Sequence, residues 1–237
     1  MASAKIVVID YHKGNLLSVQ HGLASVGGEA VVSDAPGDIS SASGLVLPGV
    51  GSFESAMGYV NESGQGEAIL DALGRGVPFL GICLGLQLLF SRGEERSGER
   101  GLPHENEEPV SAGTPGDDRW VAGLGFFSGS VTRLRSGRLK VPHVGWDQVY
   151  PTEVGERTRL LRGVPSGANF YFTHSYALSD DVDPTLVAAR THYARSFGSA
   201  VAQGPVFGVQ FHPEKSSATG LVVLSNFVDI VRAGGVR

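Results

Sequence analysis

The sequence contains very little cysteine, with a single residue, Cys83, among 237. One cysteine excludes an internal disulfide framework, and it also excludes a zinc site built from several thiolates of one chain. A lone free thiol is typical of a reducing compartment. We therefore expect a cytoplasmic protein that holds no metal.

Long hydrophobic runs and clusters of positive charge are missing as well. No stretch approaches the roughly 18 apolar residues of a transmembrane helix, and the N-terminal apolar run is too short for a secretory signal. Lys and Arg number 19 against 24 Asp and Glu, for a net charge of −5, and they form no large basic cluster. This composition argues against a nucleic-acid or membrane partner.

The first third of the chain alternates between two kinds of apolar pattern. Short β-branched runs predict buried strands, and segments with helical spacing separate them. The predicted strands are Lys5–Tyr11, Glu29–Ser33, Gly44–Phe53 and Val77–Cys83; the predicted helices lie at 16–26, within 54–75, and from Leu84 to about Ser91. Such alternation indicates an α/β fold, with a mostly parallel sheet and helices on both faces.

The remainder of the chain differs in texture. Residues 92–118 are charged, rich in Gly and Pro and nearly free of apolar side chains, which predicts a charged surface insertion. Short strand-like stretches separated by turns follow between residues 128 and 215, and they predict antiparallel strands added to the sheet. The segment from Gly220 to Gly234 has helical spacing. Without a repeat or a linker, we expect one domain over residues 1–237.

Cys83 lies between Gly81 and Gly85, at the junction of a predicted strand and a predicted helix. A nucleophile flanked two residues away on each side by small residues is typical of a nucleophile elbow, where glycines avoid collisions in a sharp turn. The helix N-terminus would favour the thiolate. The alternative is a buried core cysteine, and this stretch alone leaves both readings open.

The segment "GVQFHPEK" contains His212 and Glu214. In an extended chain, residues i and i+2 face the same side, so Glu214 could orient His212 while His212 contacts Cys83. A thiol needs such a base, or a positive field, to be substantially ionised at neutral pH. The alternative is an ordinary surface ion pair.

A third stretch, "LPGVGSF", places Gly49 and Gly51 around Val50 at the end of a predicted strand. The N–H of Gly51, together with that of Leu84 just after the candidate nucleophile, could stabilise an oxyanion. The alternative is an ordinary turn from a strand into a helix.

Taken together, "GICLGLQLLF" and "FHPEK" resemble the triad glutamine amidotransferases, the class I family. The resemblance implies a single-domain, flavodoxin-like fold and a glutaminase that needs no cofactor. It implies that Cys83 attacks the side-chain amide of L-glutamine, that His212 protonates the departing ammonia, and that Glu214 holds His212.

The same resemblance implies a set of residues around the glutamine substrate. Gln87 lies one helical turn after the nucleophile, and Glu95 matches a family carboxylate that meets the substrate amino group. For Glu95 the alternative is a solvated surface charge. The implied glutamine-binding residues are Gly49, Val50, Gly51, Gln87, Glu95, His174 and Ser175.

Four longer stretches, "DYHKGNLLSV", "LPGVGSF", "KVPHVGWDQV" and "YFTHSYAL", resemble one branch of this family, the glutaminase subunits of imidazole glycerol phosphate synthase. That branch implies a heterodimer with a (β/α)8-barrel cyclase, a lyase that receives the ammonia and makes imidazole glycerol phosphate and aminoimidazole carboxamide ribotide in histidine biosynthesis. The implied partner-interface residues are Asn15, His143, Trp146, Tyr171 and Lys215.

Other functions stay open at this point. A glutaminase subunit of another complex, such as pyridoxal phosphate synthase, would share the triad. A non-catalytic regulatory module would keep the fold without the reaction, and a generic cysteine hydrolase would share only the elbow.

Overall fold

A computed structural model describes residues 4–97 and 119–234 of the chain. The strands of the described residues are β1 (Lys5–Ile9), β2 (Glu29–Ser33), β3 (Gly44–Gly49), β4 (Phe79–Cys83), β5 (Phe90–Gly93), β6 (Val121–Ala122), β7 (Phe127–Arg133), β8 (His143–Pro151), β9 (Ala168–His174), β10 (Tyr176–Leu178), β11 (Val187–Tyr193), β12 (Arg195–Gln203) and β13 (Val206–Val209). The α-helices are α1 (Leu16–Ser25), α2 (Pro36–Ser41), α3 (Phe53–Glu62), α4 (Gln65–Gly74), α5 (Leu84–Leu88), α6 (Glu153–Arg157) and α7 (Ser217–Arg232).

Nine of these strands form one sheet in the order β2-β1-β3-β4-β13-β12-β11-β8-β9. Strands β2, β1, β3, β4 and β13 are parallel, whereas β12, β11, β8 and β9 add antiparallel pairs. The predicted parallel sheet with antiparallel additions is therefore confirmed. A second sheet, β10-β7-β5-β6, packs beside it and was not predicted from the sequence.

Helices cover both faces of the large sheet, because the apolar side chains of its buried strands point alternately to one face and to the other. In β1, Val7 and Ile9 join the core under α2, α3, α4 and α5. Ile6 and Val8 join the opposite core, under α1 and α7. This two-sided burial is what a parallel strand with a continuous β-branched run requires. Among the described residues, no helix combines the length and apolar character needed to cross a bilayer.

The region after the candidate nucleophile differs from the prediction. The helix that begins at Leu84 ends at Leu88 rather than near Ser91, and Phe90–Gly93 forms β5 of the second sheet. Phe90 is fully buried and pairs with Phe127 of β7, so burial on the second sheet outweighs continued helix. The segment predicted as a charged insertion, 92–118, thus includes the last two residues of β5, and its residues 98–118 lie outside the described part of the chain.

Candidate active site

Cys83 occupies a sharp turn between β4 and α5, with φ at 55° and ψ at −108°. A positive φ is uncommon for a residue with a side chain, and strained backbone of this kind concentrates at functional sites. A Cβ added at Gly81 would lie 2.6 Å from the carbonyl carbon of Gly85, and one added at Gly85 would lie 1.8 Å from the Leu47 carbonyl oxygen. Both flanking glycines are therefore required for the elbow to close.

The glycine-rich loop after β3 passes directly against this elbow. Gly49 pairs with Cys83 across the sheet, and a Cβ at Gly49 would lie 2.8 Å from the Leu84 Cβ. Gly51 has a positive φ of 99°, a conformation that glycine adopts without steric cost. Leu84 is the first residue of α5, so its N–H has no acceptor within the helix.

Tyr11, two residues after the end of β1, contacts the middle residue of that loop, Val50. The Val50 N–H donates to Tyr11 Oη at 2.9 Å, and Tyr11 Oη donates to the Val50 carbonyl oxygen at 3.1 Å. Burial raises the pKa of the Tyr11 phenol, which therefore stays protonated and able to donate. One hydroxyl thus contacts both backbone groups of Val50.

The candidate base reaches Cys83 from the neighbouring strand. Strand β13 lies parallel to β4, with Val209 opposite Ile82, so the chain beyond β13 continues past Cys83. His212 is buried there, and its Nδ1 lies 2.8 Å from Glu214 Oε1. The other ring nitrogen, Nε2, is buried and has no partner of strict hydrogen-bond geometry within the described residues, and the ring interacts with Cys83.

The surroundings of His212 favour its charged form. Burial alone would lower the pKa of the imidazole, but interactions with Cys83 and Glu214 outweigh it and raise that pKa to about 10. A carboxylate beside Nδ1 stabilises the imidazolium and fixes the ring orientation. A protonated His212 can donate a proton to a leaving amine.

The backbone near His212 explains how the two side chains meet. Pro213–Lys215 forms one 3-10 turn, so Glu214 reaches His212 around a turn rather than along the extended segment that the sequence suggested. The Ser216 hydroxyl donates to the His212 carbonyl oxygen at 2.6 Å, and the His212 N–H donates to the Tyr171 carbonyl oxygen at 2.9 Å. Strand β9 therefore holds this loop in place.

A pocket of about 300 Å³ opens over the elbow. Its lining includes every residue that the sequence placed around a substrate, together with three that it missed. The lining residues are Gly49, Val50, Gly51, Cys83, Leu84, Gln87, Glu95, Pro142, Thr173, His174, Ser175 and Tyr176. The three missed residues, Pro142, Thr173 and Tyr176, come from the antiparallel side of the sheet and the second sheet, whose packing no local pattern indicates.

Glu95 is partly buried at the pocket wall, where its Oε2 accepts the N–H of Phe53 at 3.1 Å. Burial raises the pKa of its carboxyl group to about 7, although the Phe53 N–H and Arg133 oppose the rise. Glu95 therefore changes charge near neutral pH, which a fully solvated surface carboxylate would not do.

His174 lies deep in the same wall and contacts one of the residues expected at the partner interface. Burial lowers the pKa of His174 to about 3, so the ring is neutral. Its Nδ1 donates to the Tyr176 carbonyl oxygen at 2.8 Å, and its Nε2 lies 3.1 Å from His143 Nδ1. His143 is itself buried and stacks on Tyr193, with ring centroids 3.9 Å apart. The structure thus places His143 beneath the surface of β8.

The other residues expected at the partner interface reach solvent. Trp146 is 54% exposed on β8 and lies across the strand pair from Tyr171 of β9, with ring centroids 6.2 Å apart. Lys215 is exposed, and its Nζ lies 5.9 Å from the Tyr171 ring centroid. Asn15 is exposed where α1 begins. Trp146, Tyr171 and Lys215 therefore form one surface cluster beside the base.

The sequence analysis also missed Gln210, whose Nε2 donates to Cys83 Sγ at 3.5 Å. A signal was available, because Gln210, His212 and Glu214 alternate in the same short stretch. Strand periodicity places Gln210 and His212 on one side of the chain, toward the nucleophile.

The chain matches a family model described as glutamine amidotransferase class-I over residues 7–231. It is 45% identical over 230 residues to the imidazole glycerol phosphate synthase subunit HisH of Moorella thermoacetica, which covers 97% of each chain. It is 40% identical over 235 residues to the subunit of the same name from Gloeothece citriformis, covering 98% of this chain and 99% of the relative.

Two solved structures have a similar fold. A glutamine amidotransferase superposes with a TM-score of 0.66 at 15% identity, covering 96% of this chain and 98% of the other. The PurLQS structure from Thermotoga maritima gives a TM-score of 0.65 at 16% identity, with the same coverage. At such identities the likeness concerns the fold alone.

Proposed function

Since the chain belongs to the class I glutamine amidotransferases, and among them to the HisH subunits of imidazole glycerol phosphate synthase, we propose that it hydrolyses L-glutamine and supplies the ammonia to that synthase. The observation that carries the proposal is the elbow of Cys83 beside the buried His212–Glu214 pair. Cys83 lines the pocket that also contains Gln87 and Glu95.

The reaction follows from the roles of these groups. The Cys83 thiolate attacks the side-chain amide carbon of glutamine, and the N–H groups of Gly51 and Leu84 stabilise the resulting oxyanion. The His212 imidazolium gives its proton to the amide nitrogen, so ammonia leaves and a thioester remains. His212 then takes a proton from water, which attacks the thioester carbon; the C–S bond breaks, and glutamate leaves. Glu214 holds the imidazole throughout.

The pocket supplies groups for the rest of the substrate. Gln87 comes from α5, whereas His174 and Ser175 come from the end of β9, so the side chain of glutamine is enclosed from two sides. Glu95 is the acidic side chain of this lining, and it faces the substrate amino group. No metal or cofactor takes part in this scheme.

We predict that glutamine binding weakens as Glu95 becomes protonated. The pKa of Glu95 is about 7 in the free protein, so lowering the pH from 8 to 6 removes most of its negative charge. The value of kcat/KM for glutamine should then fall roughly tenfold through this group, because kcat/KM reports ionisations of the free enzyme. The measurement is the pH profile of kcat/KM, in the presence of the partner subunit.

Two variants separate this effect from other titrations. In Glu95→Gln, kcat/KM should be low at pH 8 and the step near pH 7 should disappear. Glu94→Gln is the matched control, because Glu94 Oε2 accepts the Arg133 N–H and does not line the pocket. A step near pH 7 that survives in Glu95→Gln would assign it to another group.

The partner in this proposal is a (β/α)8-barrel cyclase subunit, which uses the ammonia to form imidazole glycerol phosphate and aminoimidazole carboxamide ribotide. Its docking surface includes the cluster of Trp146, Tyr171 and Lys215, and Asn15 at the start of α1. On β8 the exposed side chains alternate, so Val144 and Tyr150 extend the apolar surface of Trp146 along the strand. Exposed aromatic residues of this kind are typical anchors of protein interfaces.

The test measures glutamate release by the chain alone and by the chain with the cyclase subunit and its nucleotide ligand. We expect stimulation in the mixture, of roughly 5- to 150-fold, the usual size of coupling between sites. Trp146→Ala should reduce the stimulation, whereas Leu70→Ala, an exposed apolar residue on α4, should not. Full activity without the cyclase would contradict the partner-gated function, and inactivity in both conditions would contradict the glutaminase.

We also propose that residues 1–237 form one amidotransferase domain and that it works in the cytoplasm. A catalytic thiol remains reduced there without further protection. The class I family match over residues 7–231 supports the single domain.

A further inference from the structure

A second polar group, besides His212, faces the candidate nucleophile. The side chain of Gln210 is fully buried, and its Nε2 donates to Cys83 Sγ at 3.5 Å. Gln210 follows β13 directly, and its own N–H donates to the Ser199 carbonyl oxygen of β12. The backbone of Gln210 is therefore held against β12, with the side-chain amide beside the candidate nucleophile.

A chain of hydrogen bonds decides which end of the Gln210 amide meets the sulfur. The Tyr176 carbonyl oxygen can only accept, and Gln87 Nε2 donates to it at 2.9 Å. The same nitrogen donates to Gln210 Oε1 at 2.9 Å. Gln210 must therefore present its oxygen to Gln87 and its N–H to Cys83, since a flipped amide would place two NH₂ groups against each other.

The Tyr176 carbonyl oxygen, where this series of hydrogen bonds starts, accepts a second hydrogen bond. His174 Nδ1 donates to the same Tyr176 carbonyl oxygen at 2.8 Å, and His174 is a neutral ring that must carry its proton there. Two donors thus converge on one carbonyl group. The orientation of Gln210 consequently depends on Gln87, a side chain that lines the pocket.

A backbone carbonyl oxygen also lies near the sulfur, and its effect opposes that of the Gln210 donor. The Thr173 carbonyl oxygen lies 3.8 Å from Cys83 Sγ and can accept the S–H of the neutral thiol. Hydrogen bonds to a charged form favour that form, and acceptors of the neutral form disfavour ionisation. The N–H of Gln210 therefore favours the thiolate, whereas Thr173 favours the thiol.

We propose that Gln210 is a further residue of the catalytic centre, whose amide N–H stabilises the Cys83 thiolate and whose orientation Gln87 sets from the pocket. The proposal rests on the proposed function for its place in turnover. During hydrolysis of the thioester, water bonds to the acyl carbon, the C–S bond breaks, and its electron pair returns to sulfur. The Gln210 N–H stabilises that returning thiolate.

The test uses the single cysteine of the chain, because iodoacetamide alkylation then reports on Cys83 alone. In Gln210→Met the donor is lost, and we expect alkylation at pH 7 to slow about tenfold and its pH profile to move to higher pH, as a lost charge-assisted hydrogen bond predicts. Gln65→Met is the matched control. Gln65 is also fully buried, but its Nε2 donates to the carbonyl oxygens of Asp10 and Asp34.

A second variant keeps the proposal testable if Gln210→Met does not fold. Gln210→Glu keeps an acceptor for Gln87 but places a carboxylate beside the sulfur, so alkylation should slow further. If either folded Gln210 variant keeps the wild-type rate and pH profile, the proposal is overturned. Slow alkylation in Gln65→Met as well would overturn it too, because the effect would then follow from the loss of any buried amide.

This experiment needs neither glutamine nor a partner, so its failure is distinct from a failure of the proposed function. Glutamate release by the complex is measured separately, and Gln210→Met should lower kcat more than it changes KM. If the wild-type complex hydrolyses no glutamine while alkylation still depends on Gln210, the glutaminase fails and the sulfur donor stands.

Discussion

Replacing Cys83 by alanine should lower glutamate release by at least about 10⁴-fold, because removing a nucleophile that acts together with its base costs nearly the whole chemical acceleration. Alanine has no sulfur atom with which to form the thioester. The measurement is glutamate release by the purified complex at saturating glutamine.

The fold should survive this change. Cys83 is 7% exposed, and alanine removes only its sulfur, while the strained backbone that both side chains must adopt stays the same. Glutamine binding, measured by calorimetry, should therefore persist in Cys83→Ala. Residual turnover above about 1% of wild type would mean that another group attacks the amide, and the assignment of the nucleophile would be wrong.

Replacing Gly85 by alanine should damage both stability and activity. The added Cβ would lie 1.8 Å from the Leu47 carbonyl oxygen and 2.8 Å from the carbonyl carbon, and both atoms belong to the backbone of a central strand. Either β3 or α5 must move, and we expect a loss of about 3 kcal/mol, the upper end for overpacking. That loss corresponds to a melting temperature lower by about 6–12 °C for a chain of this size.

The activity of Gly85→Ala should fall with the stability, because the same displacement moves Cys83 and the Gly49 loop apart. Gly58→Ala is the matched control: Gly58 is exposed within α3, and its new Cβ would meet nothing within 4 Å. There alanine should raise stability by about 0.5–1 kcal/mol and leave turnover unchanged. Wild-type stability in Gly85→Ala would show that the elbow is looser than these distances imply.

The parts of the fold that the sequence predicts are those with local signals. The β-branched run at Lys5–Ile9 and the helical spacing at Leu16–Ser25 each concern one element. The elbow is likewise local, since Gly81 and Gly85 each lie only two residues from Cys83. Such patterns express the geometry of a single strand, helix or turn.

The parts that the sequence did not predict depend on contacts between distant segments. The run from Leu86 to Phe90 suits a helix or a strand equally, and only the pairing of Phe90 with Phe127 decides for β5. The six residues of α2 are too few for a periodic signal. Tyr11 follows β1 and bonds to Val50, which follows the neighbouring strand β3. No spacing in the sequence reveals this contact.

The burial of His143 is a feature that strand periodicity predicts. Along a strand, successive side chains face opposite sides, so residues separated by an odd number cannot share a face. His143 and Trp146 are three apart on β8, and the structure buries the first and exposes the second. The period of two therefore predicts that only one of them can meet a partner directly.

The adjacency of β4 and β13 also governs when the catalytic centre comes into existence. The ribosome makes the N-terminal part of a chain first, so Cys83 is translated long before the strand that carries Gln210 and leads to His212. Until Val206–Val209 pairs with Phe79–Ile82, a nascent chain has the proposed nucleophile without the proposed base. A degraded chain that has lost its C-terminal segment is in the same condition, and under the proposed mechanism neither can hydrolyse glutamine.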